Sequence, residues 1–254
     1  MDPKHILELY DQDRKSVSLF GMQREETSHL IRHVSPTGEG VVLYSNLNST
    51  NVEEVIQEQI AHIESRESNF SWVVFQHDCP ANLKDLLLAR GFLSEEPDAI
   101  MVLDIENLSQ VLMKPISYDV QRISDPEKID DVLSIRQQVW QSDYSSMAQS
   151  LSERLIEAPE SLGLYVVYVD GKPVSTAQIS FFKKCHFAGL VHSATLPGFR
   201  GRGLYTALIA ARIQEAKRRS IRFVDADASP MSRPILEKLG FQWLTESISC
   251  DWQV

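Results

Sequence analysis

The sequence predicts an α/β (α+β) protein built as two lobes, and three observations carry that prediction. Short apolar runs typical of strands alternate with stretches whose apolar residues recur at helical spacing. The charge balance changes near residue 110, because residues 1–113 carry a net charge of −11 and residues 114–254 a net charge of +1. The order of elements in the first half also recurs in the second. We therefore predict lobes at residues 1–110 and 115–254, with a linker at 106–116.

Composition excludes several classes of protein. The 254 residues are 43% hydrophobic and 24% charged, which is ordinary for a globular chain. Every apolar run is shorter than the roughly 18 residues of a membrane span, and the N-terminus is charged, so we expect a cytoplasmic protein without membrane contact. Three cysteines, odd in number and far apart, suit neither a disulfide framework nor a zinc site, and we expect no metal. A net charge of −10 argues against nucleic acid as a partner.

The first lobe contains three predicted helices that alternate with three predicted strands. Asn51 has the side chain of an N-cap for the second helix, and Gly91 closes the third. The predicted helices span residues 2–14, 51–67 and 80–90, and the predicted strands span residues 40–45, 72–75 and 99–105.

The second lobe repeats that alternation with more strands. Asp125 is a predicted N-cap, and Pro126 follows it at the first position of a predicted helix. Asp170-Gly171 is the predicted turn of a hairpin. The predicted helices span residues 125–140, 145–157, 203–219 and 232–239, and the predicted strands span residues 117–123, 164–169, 173–182, 187–196, 222–227 and 242–252.

The two halves also share a local sequence pattern. Residues 86–92 (LLLARGF) lie 149 positions before residues 235–241 (ILEKLGF), and both end a short amphipathic helix in Gly-Phe. The strand–helix–strand–helix order that leads to this point is the same in both halves. We interpret the pattern as an internal duplication.

The strongest chemical signal, residues 195–206 (TLPGFRGRGLYT), joins a predicted strand to a predicted helix. Its three glycines allow a tight turn and close approach of a ligand, and the helix start offers free N–H groups and a positive dipole end. Two arginines add positive charge, so the segment predicts a pyrophosphate site. No GK[ST] is present, which excludes a Walker loop. Further basic residues that are candidates for an additional phosphate are Lys217, Arg218, Arg219 and Arg222.

With these motifs, residues 115–254 resemble a GNAT-superfamily acyl-CoA N-acyltransferase domain. The family's R/Q-x-x-G-x-G/A loop corresponds to residues 200–205 (RGRGLY), and its later signature to residues 232–241. The resemblance implies a mixed, mostly antiparallel sheet flanked by helices in each lobe. It also implies acetyl-CoA as the acyl donor and a primary amine, which the sequence does not identify, as the acceptor. The first lobe resembles a degenerate copy, because residues 44–51 lack glycine and arginine at the loop position; we expect no CoA there.

The resemblance also implies residues that bind CoA. Backbone amides from Gly201 to Thr206 would hold the pyrophosphate, and the strand backbone at 193–195 would pair with the pantetheine arm. The sixth loop position holds Tyr205 in place of Gly or Ala, and Ser229 replaces a frequent Asn. The candidate CoA-binding residues are Ser193, Ala194, Thr195, Arg200, Gly201, Arg202, Gly203, Leu204, Tyr205, Thr206, Ser229 and Ser232.

Candidate bases follow from the reaction. An amine must be neutral to attack, and a lysine-like amine is less than about 0.1% neutral at pH 7. Asp225 and Asp227 lie on one side of a predicted strand and are candidates for the general base, with His192 as an alternative. Trp140 and the segment from Tyr144 to Ser146 stand where family members form a substrate lid, although Trp140 also suits a core position.

Candidate acids are less clear. Leu236 replaces the tyrosine that often protonates the leaving thiolate in this family. The hydroxyls that could take its place belong to Ser232, Tyr205 and Tyr165. Because Leu236 cannot donate a proton, a non-catalytic acyl-CoA sensor or scaffold is the alternative function.

Overall fold

The structure is a computed structural model that describes residues 2–142 and 144–253, apart from the side chains of Ser145 and Ser146. Short 3-10 turns at Ile105–Asn107 and Gln110–Met113 occupy the predicted linker. The helices are α1 (Pro3–Ser16), α2 (Val52–Glu64), α3 (Leu83–Ala89), α4 (Ile129–Trp140), α5 (Ser145–Glu157), α6 (Leu204–Arg218) and α7 (Arg233–Lys238). The strands are β1 (Gln23–Glu26), β2 (Leu30–Val34), β3 (Gly40–Ser45), β4 (Phe70–Phe75), β5 (Leu93–Ser94), β6 (Asp98–Asp104), β7 (Asp119–Ile123), β8 (Leu162–Val169), β9 (Lys172–Phe181), β10 (Phe187–Thr195), β11 (Phe223–Ala228) and β12 (Gln242–Trp252).

The chain forms two compact units. The first comprises Met1–Ile100, Ala228–Pro230 and Trp243–Val254, and the second comprises Met101–Asp227 and Met231–Gln242. Each unit therefore draws on both halves of the sequence, whereas the predicted lobes, 1–110 and 115–254, are contiguous. The lobe boundaries stay a prediction.

In the first unit the strands lie in the order β1-β2-β3-β4-β12. β3 and β4 are parallel and are joined through α2, whereas β12 runs antiparallel to β4 with Ile248 opposite Val74. The core of this unit includes Ile56, Trp72 and Cys250, all fully buried. The last strand of the chain is thus part of the first unit.

In the second unit the strands lie in the order β6-β11-β10-β9-β8-β7. β8 and β9 form the predicted hairpin, and β10 and β11 are parallel and joined through α6. Helices α4 and α5 cover a core that includes Val132, Leu155 and Leu164. The mixed α/β class with mostly antiparallel strands and flanking helices is confirmed.

Helices α3 and α7 end in the same way, 149 positions apart. The N–H of Phe92 donates to the carbonyl of Leu87 at 3.2 Å, and the N–H of Phe241 donates to that of Leu236 at 3.1 Å. Gly91 and Gly240, which precede the two phenylalanines, have φ of +101° and +97°. Left-handed glycines of this kind close helices in a Schellman arrangement. The shared Gly-Phe pattern therefore produces the same helix end in each half, as a duplication predicts.

Most predicted elements are present, with ends shifted by a few residues. The helix predicted from residue 125 begins as a 3-10 turn at Pro126–Lys128 and becomes α-helical at Ile129. Strand β1 was not predicted, because its sequence QREE has no apolar residue and therefore no alternation to detect. No helix among the described residues is long and apolar enough to cross a membrane.

Candidate functional site

A bulge interrupts β10 in the second unit. Its antiparallel pairing with β9 pairs Val191 with Gln178, then shifts register before Ala194 pairs with Thr176. His192 lies inside the bulge with φ +51°, a left-handed conformation that few non-glycine residues adopt. Bulges of this kind often lie next to active sites, where they re-aim the chain.

The parallel pairing of β10 with β11 ends where the bulge begins. The last register pair in the described chain is Leu190 with Ala226, one pair beyond Gly189 with Asp225. A Cβ added at Gly189 would lie 3.8 Å from Asp225 Oδ1, so that carboxylate lies against the neighbouring strand. Asp227 comes one residue after the last pair and is exposed. Of the two candidate bases, Asp227 is thus the one at the point where the strands part.

The glycine-rich turn leads directly into α6. Gly201 and Gly203 have φ of +71° and +81°, so both need the left-handed conformation that glycine adopts freely. The first bond donated within α6 runs from the Ala207 N–H to the Gly203 carbonyl at 3.0 Å. The N–H groups of Leu204 to Thr206 therefore have no partner within the helix, and no side chain caps this end. The turn offers several amide donors at the positive end of a helix dipole.

Two exposed arginines flank this turn. Arg200 Nε donates to the Thr195 carbonyl at 3.1 Å, and the Arg202 guanidinium lies 5.1 Å from the Phe199 ring centre. Neither pairs with a carboxylate in the part of the chain that the structure describes. Both charges are available for a phosphate.

The second basic cluster does not contribute to this turn. It lies at the opposite end of the 15-residue α6, about 20 Å away at 1.5 Å per residue. Two of its four members also have acidic partners: Arg219 bonds Glu215, and Arg222 lies 3.6 Å from Asp104. A further phosphate patch at these residues stays a prediction, and it would lie at a distance from the turn.

Tyr118 supports the turn from a neighbouring segment, and sequence reasoning missed it. Its hydroxyl donates to the carbonyl of Arg202. A Cβ added at Gly203 would approach the same hydroxyl to 3.2 Å. Tyr118 directly precedes β7, 84 residues before the turn, so no local motif could have indicated this contact.

Two of the candidate acids lie together. Tyr205 is half-buried, and its hydroxyl shares a hydrogen bond with the side chain of Ser232. Burial raises the pKa of Tyr205, while the Arg212 charge and the Ser232 hydrogen bond oppose that effect. The phenol therefore stays protonated at neutral pH and can donate.

The third candidate acid, Tyr165, already donates its hydroxyl hydrogen bond to another residue. The Tyr165 hydroxyl donates to Glu215, and the ring is buried. Leu236 is fully buried, so the position of the family tyrosine faces a packed interior in this chain. Tyr205 and Ser232 are thus the candidate acids that the structure brings together.

His192 is accessible but crowded. Its side chain is exposed, yet desolvation by the surrounding protein, together with the charges of Arg136 and Arg154, lowers its pKa to about 4. The imidazole is neutral at physiological pH, but so low a pKa makes it a weak base.

The candidate lid is only partly described. Trp140 ends α4 and is 38% exposed, so the core position considered for it is wrong. Its ring centre lies 5.7 Å from that of Tyr144. The side chains of Ser145 and Ser146 lie outside the part of the chain that the structure describes. The whole of residue 143 also lies outside it.

A second polar cluster lies in the first unit. Asp11 Oδ1 lies 3.0 Å from His77 Nε2, and His77 Nδ1 lies 3.1 Å from Thr245 Oγ1. This order is that of a hydrolase triad, but Thr245 is only 3% exposed and Asp11 also bonds Arg14 at 2.7 Å. A nucleophile must reach its substrate, so the cluster is structural.

Comparison with known proteins finds a family match within the second half of the sequence and structural likenesses over nearly the whole chain. Residues 129–241 match the family model described as "Acetyltransferase (GNAT) family". No curated protein matches the chain significantly. A GCN5-related N-acetyltransferase from Kribbella flavida has a TM-score of 0.70 over 98% of this chain and 95% of its own, at 14% identity. A tandem GNAT protein from the clavulanic acid biosynthesis pathway has a TM-score of 0.61 over 95% of this chain and 86% of its own, at 11% identity.

The chain thus has the α/β fold of these solved N-acetyltransferases. The family match covers residues 129–241, the segment that contains bulged β10, the glycine-rich turn and α6. The structural likenesses, including one of 15% identity and TM-score 0.68 to a functionally unknown conserved protein from Staphylococcus epidermidis, show that the shared fold extends through both halves.

Proposed function

We propose that the second unit transfers an acetyl group from acetyl-CoA to a primary amine by direct attack. The carrying observation is the continuous arrangement of bulged β10, the left-handed turn at Gly201 and Gly203 and the uncapped start of α6, within the matched GNAT segment. This arrangement offers amide donors to a pyrophosphate and, a few residues earlier, an open strand edge.

CoA binding would use that arrangement in order. Amides from Gly201 to Thr206 hold the pyrophosphate, with Arg200 and Arg202 as counter-charges. The backbone at 193–195 pairs with the pantetheine arm on the side facing away from β9, since Ala194 and Thr195 already pair with β9 on the other side. Ser229 and Ser232 remain candidate contacts beyond β11.

The chemical step needs one proton acceptor and one donor. The attacking nitrogen loses its proton to Asp227, or to a water that Asp227 or Asp225 orients, as the new C–N bond forms. The C–S bond then breaks, and the CoA thiolate takes a proton from Tyr205. The Ser232 hydrogen bond stabilises the resulting phenolate, which regains a proton from solvent. A thiol of pKa about 8.5 is a good leaving group, so loss of the family tyrosine slows this step without preventing it.

A free-thiol assay with acetyl-CoA and a panel of amines tests the proposal. Thiol release that depends on one class of amine supports an acyltransferase and identifies its acceptor class. The burial of Leu236 favours one rival, a CoA-binding module without turnover. Saturable CoA binding in calorimetry with no amine-dependent thiol release would establish that rival.

A further inference from the structure

Arg136 is a buried cation with neutral partners. It lies on α4 in the second unit and is 0% exposed. Nη1 donates to Met147 Sδ at 3.0 Å, Nη2 donates to Gln178 Oε1 at 3.3 Å, and Nε has no partner among the residues that the structure describes. No carboxylate among the described residues pairs with it.

Such a guanidinium is costly to bury. A buried charge is ordinarily paired, because the protein interior does not replace the hydration that the charge loses. A thioether sulfur is a weak acceptor, and a single amide oxygen satisfies little of a five-donor group. The pKa of Arg136 falls to about 10, with burial as the main cause. The group thus has donor capacity left for an anionic ligand.

Arg136 lies beside the bulge. Gln178, which it contacts, is the β9 residue paired with Val191, the last residue before β10 shifts register. The Arg136 charge is also close enough to His192, inside the bulge, to lower its pKa. Under the proposed function, the bulge is where the amine meets the thioester, so Arg136 borders the acceptor.

One flexible side chain covers the guanidinium. Met147, at the start of α5, is half-exposed, and its sulfur accepts the hydrogen bond that Nη1 of Arg136 donates. Rotation of this unbranched side chain would free Nη1 for a stronger acceptor. A carboxylate there makes the paired, charge-assisted hydrogen bonds that a planar guanidinium fork favours.

The neighbouring charges also select against a purely cationic acceptor. Arg154 on α5 lies near His192 as well, and within the described part of the chain its hydrogen bonds go to the Ser161 side chain and carbonyl, at 2.9 and 2.7 Å. Two positive charges disfavour the ammonium form of an incoming amine and favour the neutral form that attacks. A polyamine would meet the same repulsion at its second charge.

Resting on the proposed acetyl transfer, we infer that the acceptor is an amine that also carries a carboxylate, such as an amino acid, and that Arg136 binds this carboxylate. The test compares acceptors in pairs that differ by one carboxylate: lysine with cadaverine, and tyrosine with tyramine. The wild-type protein should show a kcat/KM about 10- to 100-fold higher for the carboxylate-bearing member of a pair, the range expected for hydrogen bonds to a charged group.

Three variants refine this test. Arg136→Gln should reduce the ratio of the two kcat/KM values within a pair to near one and leave the KM for acetyl-CoA unchanged. Arg136→Lys should retain part of the preference for the carboxylate-bearing amine. Arg212→Gln is the matched control, because Arg212 is equally buried, also lacks a carboxylate partner and bonds the Gln178 carbonyl at 3.0 Å from α6. The ratio of kcat/KM values that Arg212→Gln shows within each pair should equal that of the wild type. Equal or better turnover of the decarboxylated amines by the wild type, or a ratio that survives Arg136→Gln, overturns the inference.

Binding separates this inference from the proposed function. If no amine releases thiol, acetyl transfer fails, and calorimetry with the same pairs on CoA-loaded protein decides the inference. Binding of the amino acid but not of its decarboxylated partner, lost in Arg136→Gln, supports it. Equal binding of both members, or binding of neither, overturns it.

Discussion

The Tyr118 hydroxyl donates a hydrogen bond to the carbonyl of Arg202 and ties the segment before β7 to the turn that starts α6. Tyr118→Phe removes that bond alone, so the turn loses a brace while its own residues are unchanged. We expect the affinity for CoA to fall about 2- to 10-fold, the range of one neutral hydrogen bond. Calorimetry measures it. Tyr168→Phe, which removes a bond to Asp131 on α4, is the control, and an equal loss there would contradict the role of Tyr118.

The three glycines of the turn should respond differently to alanine. Gly198 has open space around it and no positive φ, so Gly198→Ala should bind CoA like the wild type. Gly201→Ala forces a left-handed alanine, at a cost of about 1–2 kcal/mol. Gly203→Ala adds a contact with Tyr118 at 3.2 Å, and Gly203→Val should weaken CoA binding most. Calorimetry on the series gives the order, and a loss at Gly198 as large as at Gly203 would show that this geometry does not control binding.

We expect one CoA per chain. In the first unit the segment between β3 and α2 has no glycine, and the Asn48 side chain already accepts from the N–H groups of Thr50 and Asn51, at 2.8 and 3.2 Å. Glu53 and Glu54 in the first turn of α2 would repel a phosphate. Titration calorimetry should therefore give a stoichiometry near one, and two equivalents would refute the prediction.

The glycine-rich turn was predictable from sequence because its determinants are local. Three glycines, two arginines and the following helix lie within a dozen residues, and each acts through its own backbone or charge. The Gly-Phe helix ends were predictable for the same reason. Residues that support the turn and border the bulge were not, because Tyr118 and Arg136 reach it only through tertiary contacts.

Strand partners were also beyond the sequence. β12 has the alternation of a strand, but nothing in its residues indicates that it pairs with β4, about 175 residues earlier in the chain. Its apolar members, such as Ile248 and Cys250, pack in the first unit's core. Alternation identifies a strand, whereas its partner is chosen by packing across the whole chain.

That pairing predicts the behaviour of the isolated fragment 112–254. The fragment lacks β4, so β12 would expose an unpaired edge and the side chains that pack in the first unit. We expect it to be insoluble or to aggregate, whereas the full chain stays monodisperse. Size-exclusion chromatography compares the aggregation of the fragment with that of the full chain. A soluble fragment that binds CoA and acetylates the true acceptor at the full rate would show that residues 1–110 serve neither folding nor acceptor choice.

The Tyr205 hydroxyl bonds Ser232 and stays protonated, so it can serve as the acid of the proposed reaction. Tyr205→Phe should lower kcat at least about tenfold, within the range of general acid catalysis, and change the KM for acetyl-CoA little, since the backbone amide that would hold CoA is retained. Ser232→Ala should lower kcat less, because Tyr205 keeps its proton. Tyr165→Phe is the control: it removes a bond to Glu215 and should reduce stability but not kcat.

Restoring the family tyrosine should fail in this chain. Leu236 is fully buried, so Leu236→Tyr forces a larger polar side chain into a packed interior, at a cost of about 1–3 kcal/mol. We expect a lower melting temperature and no gain in turnover at saturating acetyl-CoA. A clear rise in kcat with Leu236→Tyr, together with an unchanged kcat in Tyr205→Phe, would show that the acid is missing from this chain and that Tyr205 does not replace it.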